Sequence, residues 1–167
     1  MATPTTFKER VAAMVAASPQ EYAGMTRDIR AEFAQGLKGA GIFAANIAAA
    51  LGTSRQNLSI YINGRTGLSW DKAKHILWLL KGNFGDRARA FLLADPDEAE
   101  GMVRDIGSEM DRIQRIEGVT QTLTAKALGI FLQDLNAYMN NRRPWPYSVL
   151  GKVVWLLDGE KEGEGEV

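Results

Sequence analysis

An internal repeat that spans nearly the whole chain constrains its fold more than any other feature of its sequence. The two copies align without a gap from Phe7 and Phe84 to Gly82 and Gly159, and about a third of the aligned positions are identical. Because two copies of one pattern form the same set of elements, the repeat predicts two tandem, pseudo-symmetric modules. We place them at residues 1–83 and 84–159, followed by an acidic, disordered tail at residues 160–167.

Helix signals recur at the same places in both copies, and no segment has an obvious strand pattern. Ser18-Pro19 and Asp95-Pro96 each combine an N-cap residue with a proline at the first helical position. A Trp-Leu-Leu run before Gly82, and again before Gly159, indicates a final apolar turn that ends in a C-cap glycine. These signals predict an all-α fold with about five helices in each module. In the first module the predicted helices are 7–17, 19–35, 43–51, 54–62 and 70–81, with counterparts at the equivalent positions of the second copy.

Composition restricts the class of function. The chain lacks cysteine and has a single histidine, His75, which argues against thiolate metal sites and a zinc cluster. No apolar run approaches the roughly 18 residues of a membrane span, and no secretory signal is visible, so we expect a cytoplasmic protein. No phosphate-binding glycine loop or nucleophile motif is visible either. We therefore expect no enzymatic activity, no cofactor, no metal and no small-molecule substrate.

The net charge of zero conceals an asymmetry along the chain. Residues 1–83 carry ten lysines and arginines against five aspartates and glutamates, whereas residues 84–167 carry ten against fifteen. Nucleic-acid-binding domains usually have a basic footprint, so the balanced total argues against such a function and the basic first half argues for it. The first module is the better candidate for contact with a polyanion.

One segment of each module has the spacing of a helix-turn-helix. Two short helices that cross closely need a small residue in the first helix, here Ala48, and a turn residue that tolerates positive φ, here Gly52. The segments 43–82 and 120–159 resemble the helix-turn-helix of the lambda-repressor/Cro family, present here as a tandem duplication. The matching apolar and small residues are Ile47, Leu51, Leu58 and Tyr61 in the first module and Ala125, Leu128, Gly129, Leu135 and Tyr138 in the second.

The resemblance implies that the second helix of the motif lies in the major groove of double-stranded DNA. Its early exposed residues then meet base edges, where arginine can pair with guanine, and glutamine or asparagine with adenine. The expected base contacts are Ser54, Arg55, Gln56, Asn57 and Ser59. The expected contacts to the DNA backbone are Asn63, Arg65 and Lys72 in the first module and Gln121, Asn140, Arg142 and Arg143 in the second.

The second module departs from this pattern where its recognition helix starts. Phe131 and Leu132 occupy the positions of Ser54 and Arg55, and an acidic residue, Asp134, replaces Asn57. Because such side chains suit base edges poorly, we interpret Phe131 and Leu132 as a protein interface, buried against the first module, a second copy of the chain or another protein.

Two functions are compatible with these features. The leading hypothesis is a sequence-specific transcriptional regulator, such as a phage, mobile-element or bacterial repressor, that reads DNA through the first module. The second module then serves as a built-in pseudo-dimer partner or as a dimerisation surface, since repressors reach two half-sites by dimerising. The alternative is a protein-binding regulator, such as an anti-activator or mobile-element inhibitor, that uses the same scaffold for protein contact.

Overall fold

The computed structural model describes residues 4–65 and 69–160, which form α-helices joined by turns and loops, without a β-strand. The all-α prediction is confirmed. Of the predicted acidic tail, residues 161–167 lie outside the described residues. Within residues 4–65 and 69–160, none of the helices has both the length and the apolarity needed to cross a lipid bilayer. The helices are α1 (Phe7–Ala16), α2 (Pro19–Ala23), α3 (Ile29–Ala40), α4 (Ala44–Leu51), α5 (Arg55–Ile62), α6 (Trp70–Lys81), α7 (Phe84–Leu93), α8 (Pro96–Glu100), α9 (Ile106–Glu117), α10 (Gln121–Leu128), α11 (Leu132–Met139) and α12 (Tyr147–Asp158).

Among the described residues, each copy of the repeat contains six helices, one more than predicted, because the expected helix 19–35 is interrupted. The segment 24–28 separates α2 from α3, and the side chain of Asp28 caps α3 by accepting a hydrogen bond from the N–H of Ala31, at 3.1 Å. Asp105 caps α9 at the equivalent position of the second copy. The extra helix start therefore arises from an aspartate that competes with continuation of the helix.

The predicted proline-containing helix starts are capping boxes. In the first, Ser18 Oγ accepts a hydrogen bond from the N–H of Glu21, and the Glu21 carboxylate accepts one from the N–H of Ser18, at 3.2 and 2.9 Å. The backbone and side-chain hydrogen bonds from Ser18 lower the pKa of Glu21 below its ordinary value. Asp95 and Glu98 form the same arrangement at the start of α8.

The helices form two compact units whose boundaries differ from the predicted modules 1–83 and 84–159. Unit 1 comprises the described parts of Met1–Arg27 and Asp105–Val167, and unit 2 comprises those of Asp28–Arg104. Unit 1 therefore combines α1 and α2 with α9–α12, whereas unit 2 combines α3–α6 with α7 and α8. Each unit therefore contains one example of each of the six repeated helices. In both units, the helices equivalent to α1 and α2 come from one copy of the repeat, and the helices equivalent to α3–α6 come from the other copy.

Corresponding backbone hydrogen bonds occur in the two units at equivalent positions of the repeat. Within unit 1, the N–H of Arg27 donates to the carbonyl of Gly151 at 3.1 Å. Within unit 2, the N–H of Arg104 donates to the carbonyl of Lys74, also at 3.1 Å. In unit 1 the bond joins the segment that follows α2 to α12. In unit 2 it joins the segment that follows α8 to α6.

Corresponding arginines also hold the ends of two long helices. Arg10, in α1, donates from Nη1 to the carbonyl of Leu156 near the end of α12, at 3.1 Å. Arg87, its repeat equivalent in α7, donates from Nη1 to the carbonyl of Trp78 in α6, at 2.6 Å. A cation at a helix C-terminus satisfies carbonyl groups that lack a helical partner and complements the helix dipole.

In each unit, the core includes side chains from a helix that belongs to a different copy of the repeat from the unit's four-helix part. This helix is α1 in unit 1 and α7 in unit 2. Phe7, Val11 and Met14 of α1 are buried in unit 1, and Phe84 and Phe91 of α7 are buried in unit 2. Burying one such large side chain contributes about 1.5–3 kcal/mol. The remaining core includes Ile106, Met110, Leu128, Leu135, Leu150, Val153 and Leu156 in unit 1, and Ile29, Phe33, Ile47, Leu58, Ile76, Leu77 and Leu79 in unit 2.

Candidate nucleic-acid interface

In unit 2, α4 and α5 are joined by a tight turn of the predicted kind. Gly52 ends α4 with a φ of 77°, in the left-handed region that glycine adopts without steric cost. The N–H of Thr53 closes the turn on the carbonyl of Ala48, at 2.9 Å. Behind the turn the predicted inward-facing residues are all buried: Ile47, Ala48, Leu51, Leu58 and Tyr61.

The opposite side of α5 is polar and exposed. Gln56, Ser59 and Asn63 follow one another at spacings of three and four residues, which places them on one face of the helix. Arg55 and Asn57, also exposed, flank that face on its two sides. The side chains of Arg55 and Gln56 make no hydrogen bond or ion pair with the described part of the chain. Four of the five predicted base-contact residues thus form one exposed surface, which we call the α5 surface.

Ser54, the fifth predicted base contact, has a structural role in the chain. Its Oγ accepts a hydrogen bond from the N–H of Asn57, at 3.0 Å, and caps α5. A serine before a helix satisfies an otherwise unpaired N–H and so stabilises the helix start by about 1 kcal/mol. If Ser54 also contacts a base, its hydroxyl must do so while its oxygen accepts this hydrogen bond.

Three cations lie on segments that follow or support α5. Arg65 is exposed in the turn after the helix, and Lys72 is half-buried in the first turn of α6. Arg30, which sequence analysis did not select, lies with its guanidinium 5.1 Å from the ring centre of Tyr61. Its position beside α5 depends on packing between α3 and α5, which the whole of α4 separates along the chain, and no local sequence signal marks such a contact.

In unit 1, α10 and α11 repeat the turn. Gly129 ends α10 with a φ of 70°, and the N–H of Ile130 closes the turn on the carbonyl of Ala125, at 3.1 Å. Leu135 and Tyr138 of α11 are buried, as Leu58 and Tyr61 are in α5. The turn and the inward face are therefore the same in both units.

The residues of unit 1 that are predicted to contact the DNA backbone differ in how far they already interact with other residues of the chain. Arg143 donates a short hydrogen bond to Asp134 and lies 5.1 Å from the ring centre of Tyr138. The bond to Asp134 raises the pKa of Arg143, which stays protonated. Asn140 caps the end of α11 and donates from Nδ2 to the carbonyl of Asn136. Gln121 is half-buried as the first residue of α10, and Arg142 is exposed.

Phe131 and Leu132 lie at the start of α11, where they are 74% and 40% exposed. Phe131 is the N-cap residue of α11, and no side-chain hydrogen bond caps the helix. The corresponding position of α5 is occupied by the capping Ser54. The prediction that these two side chains form a contact surface is thus compatible with their exposure, while the nature of the partner stays a prediction.

No protein-family model, no curated protein and no solved structure matches the chain.

Proposed function

We propose that the protein is a sequence-specific DNA-binding transcriptional regulator of the lambda-repressor/Cro type that reads the major groove through α5. The observation that carries the proposal is the α5 surface: a short helix, set by a left-handed glycine turn, exposes Arg55, Gln56, Asn57 and Ser59 on its solvent side. An α-helix fits the major groove, where these side chains have complementary donors and acceptors on the bases. Such a regulator works in the cytoplasm.

The chemistry assigns different tasks to these residues. Arg55 offers a guanidinium that pairs with guanine through two hydrogen bonds, and Gln56 offers an amide that pairs with adenine in the same way. Arg65 and Lys72 supply positive charge for phosphates, which fixes the position of the protein without reading sequence. Gln121 and Arg142 provide equivalent contacts in unit 1, which acts as the pseudo-dimer partner.

The first test is selection from a random pool of duplex DNA with the full-length protein at physiological salt, followed by sequencing. An enriched motif is the expected result. A folded protein that enriches no sequence would contradict the proposal.

Two substitutions then separate base reading from phosphate contact. Arg55→Ala is expected to weaken binding to the selected site by about 1–3 kcal/mol and to relax base preference at one position. Arg65→Ala is expected to weaken binding to all sequences alike and to reduce the slope of log affinity against log salt by about one. Fluorescence anisotropy titrations at several salt concentrations measure both effects.

Arg89→Ala provides the matched control, because Arg89 is an exposed arginine of the same unit that lies on α7 and pairs with Asp86. It should leave base preference and affinity close to those of the unmodified protein. Equal losses in Arg55→Ala and Arg89→Ala would attribute the effect to net charge and remove α5 from base reading.

A protein-binding regulator is the second candidate, and the exposure of Phe131 and Leu132 favours it. In that case Phe131→Asp should abolish association with a partner or with a second copy of the chain, while the helical circular-dichroism spectrum stays unchanged. Association that survives this substitution would exclude Phe131 as the anchor.

A further inference from the structure

The start of α11 combines two features that reduce the stability of the isolated chain. Phe131 leaves the helix without a side-chain cap, whereas its repeat equivalent Ser54 accepts a hydrogen bond from the backbone. Phe131 also holds an aromatic ring 74% exposed, beside a Leu132 that is 40% exposed. A residue that lowers the stability of the chain at an exposed position is typical of one retained for binding.

The acidic residue of α11 does not oppose contact with a polyanion, because its charge is compensated. Asp134 accepts the hydrogen bond from Arg143, which draws the loop after α11 back to the first turn of that helix. The neighbouring Arg142 is exposed, as is Lys126 near the end of α10. Neither cation has an ion pair within the described part of the chain. The exposed start of α11 is therefore apolar, with free positive charge on adjoining segments.

Exposure and residue type alone fit a protein partner, but the backbone geometry before α11 favours DNA as the occupant of this surface. The turn before α11 closes through the same hydrogen bond as the turn before α5, with the glycine in the same left-handed conformation. The first residues of α11 thus project from unit 1 as those of α5 project from unit 2. The apolar start of α11 and the exposed cations on the segments before and after this helix are together complementary to a groove lined by phosphates and containing apolar groups.

The apolar group of the major groove is the C5-methyl group of thymine, and phenylalanine and other apolar side chains contact it. We propose that unit 1 recognises thymine-rich DNA by packing Phe131 and Leu132 against thymine methyl groups. Gln133, exposed on the next position of α11, offers an amide for adenine on the paired strand. The inference rests on the proposed DNA-binding function and adds a second, chemically different half-site to it.

Uracil substitution tests this contact directly, because uracil keeps the hydrogen-bonding edge of thymine and lacks only the methyl group. Using the full-length protein and the selected duplex, each thymine is replaced by uracil in turn and the dissociation constant is measured. At the contacted thymines the affinity should fall about fourfold per methyl, the equivalent of about 0.8 kcal/mol for one buried apolar carbon. Replacement elsewhere should have no effect.

Variants assign the contact to α11. Phe131→Ser and Leu132→Arg introduce the residues found at the same positions of α5, and the serine also supplies the missing cap, so both variants should fold. Each substitution should abolish the discrimination at the thymines that the replaced side chain contacts, and in the double variant the thymine and uracil forms of the unit 1 half-site should bind equally. Arg55→Ala should keep the fourfold discrimination at that half-site, because it alters the other unit.

The possible outcomes separate this inference from the function on which it rests. If a motif is selected but uracil has no effect, or the effect persists in Phe131→Ser and Leu132→Arg, the thymine contact is overturned and DNA binding through α5 stands. If no motif is selected, both fail. If Phe131→Ser abolishes self-association in sedimentation experiments and uracil has no effect, the surface is a protein interface and the inference is overturned.

Discussion

Gly151 illustrates how one residue supports the exchange of helices between the two copies of the repeat. A Cβ at this position would lie 2.5 Å from the carbonyl oxygen of Arg27, and the Gly151 carbonyl accepts the hydrogen bond from the Arg27 N–H. The Arg27 carbonyl belongs to the backbone, so it cannot move aside as a flexible side chain would. The segment that follows α2 approaches α12 this closely because the residue has no side chain.

Gly151→Ala is therefore expected to lower the free energy of unfolding by about 1–3 kcal/mol through overpacking. Urea denaturation followed by circular dichroism measures the change. Gly101→Ala is the control: a Cβ there would lie 3.5 Å from the Glu98 carbonyl oxygen, an ordinary contact, and the backbone is in the right-handed helical region. That substitution should be neutral or stabilise by up to about 1 kcal/mol. Equal effects of the two alanines would contradict the close approach.

Residues defined by local chemistry were predictable from the sequence. Gly52 was identified because a turn between two short helices needs positive φ, and Ser18 because a serine directly before proline, with a glutamate at N3, is a helix-start signal. The pairing of Asp134 with Arg143 was not predicted, since they are nine positions apart and the loop conformation decides whether they meet. Without that pairing, the sequence suggested an uncompensated acid on α11.

Among the helices, the interruption between α2 and α3 shows the limit of helix prediction. The segment 19–35 has a start signal at Ser18 and no proline to end it, so one long helix was expected. Asp28 begins a new helix instead, as Asp105 does in the second copy. An aspartate inside a helix pattern can either cap a new helix or continue the old one with its side chain in solvent. Tertiary packing decides between the two, and the sequence alone does not specify that packing.

The capping box of α2 predicts a dependence of stability on pH. The pKa of Glu21 is lowered in the folded chain by the hydrogen bonds from Ser18. A lowered folded-state pKa contributes stability above the unfolded value, about 4.3, and that contribution is lost as the pH falls through the folded value. Glu21→Gln, which retains a hydrogen-bonding side chain, should be less stable than the unmodified protein at pH 7 by a small amount.

This difference should shrink as the pH falls below about 4.3, where more than half of this glutamate is protonated in the unfolded chain. Thermal unfolding of both proteins at a series of pH values provides the measurement. A difference that stays constant between pH 7 and pH 3 would show that the charge of Glu21 does not strengthen the cap.

For the molecule as a whole, the boundaries of the two units could not be derived from the repeat. α1 and α7 derive from the same sequence pattern and present similar apolar faces, so the pattern is compatible with packing against either set of four helices. The chain passes from one unit to the other at Arg27–Asp28 and Arg104–Asp105, in the short segments after α2 and α8. The repeat identified the elements and their order but not their partners.

A fragment comprising residues 28–104 should consequently fold by itself, because it contains all six helices of unit 2 in one continuous stretch. It should unfold cooperatively in urea and bind the part of the selected DNA motif that is read by α5. A fragment comprising residues 1–83 lacks α7 and α8, leaves the core around Phe33 uncovered on one side, and should be unstable or associate. If residues 1–83 fold as a stable monomer and residues 28–104 do not, the assignment of the units is wrong.

The exchange of helices also determines the order in which the chain can acquire structure during synthesis. Unit 2 is complete once residue 104 has left the ribosome, whereas α1 and α2 must wait for α9–α12. At roughly 5–20 residues per second, the interval between α1 and its partners lasts on the order of 5–20 seconds. Throughout that time the apolar face of Phe7, Val11 and Met14 is without its final partners. Although α1 and α2 are synthesised before α3–α12, they are thus among the last of these helices to be packed. The unit that contains them closes its core only across a long chain separation, which favours slow folding.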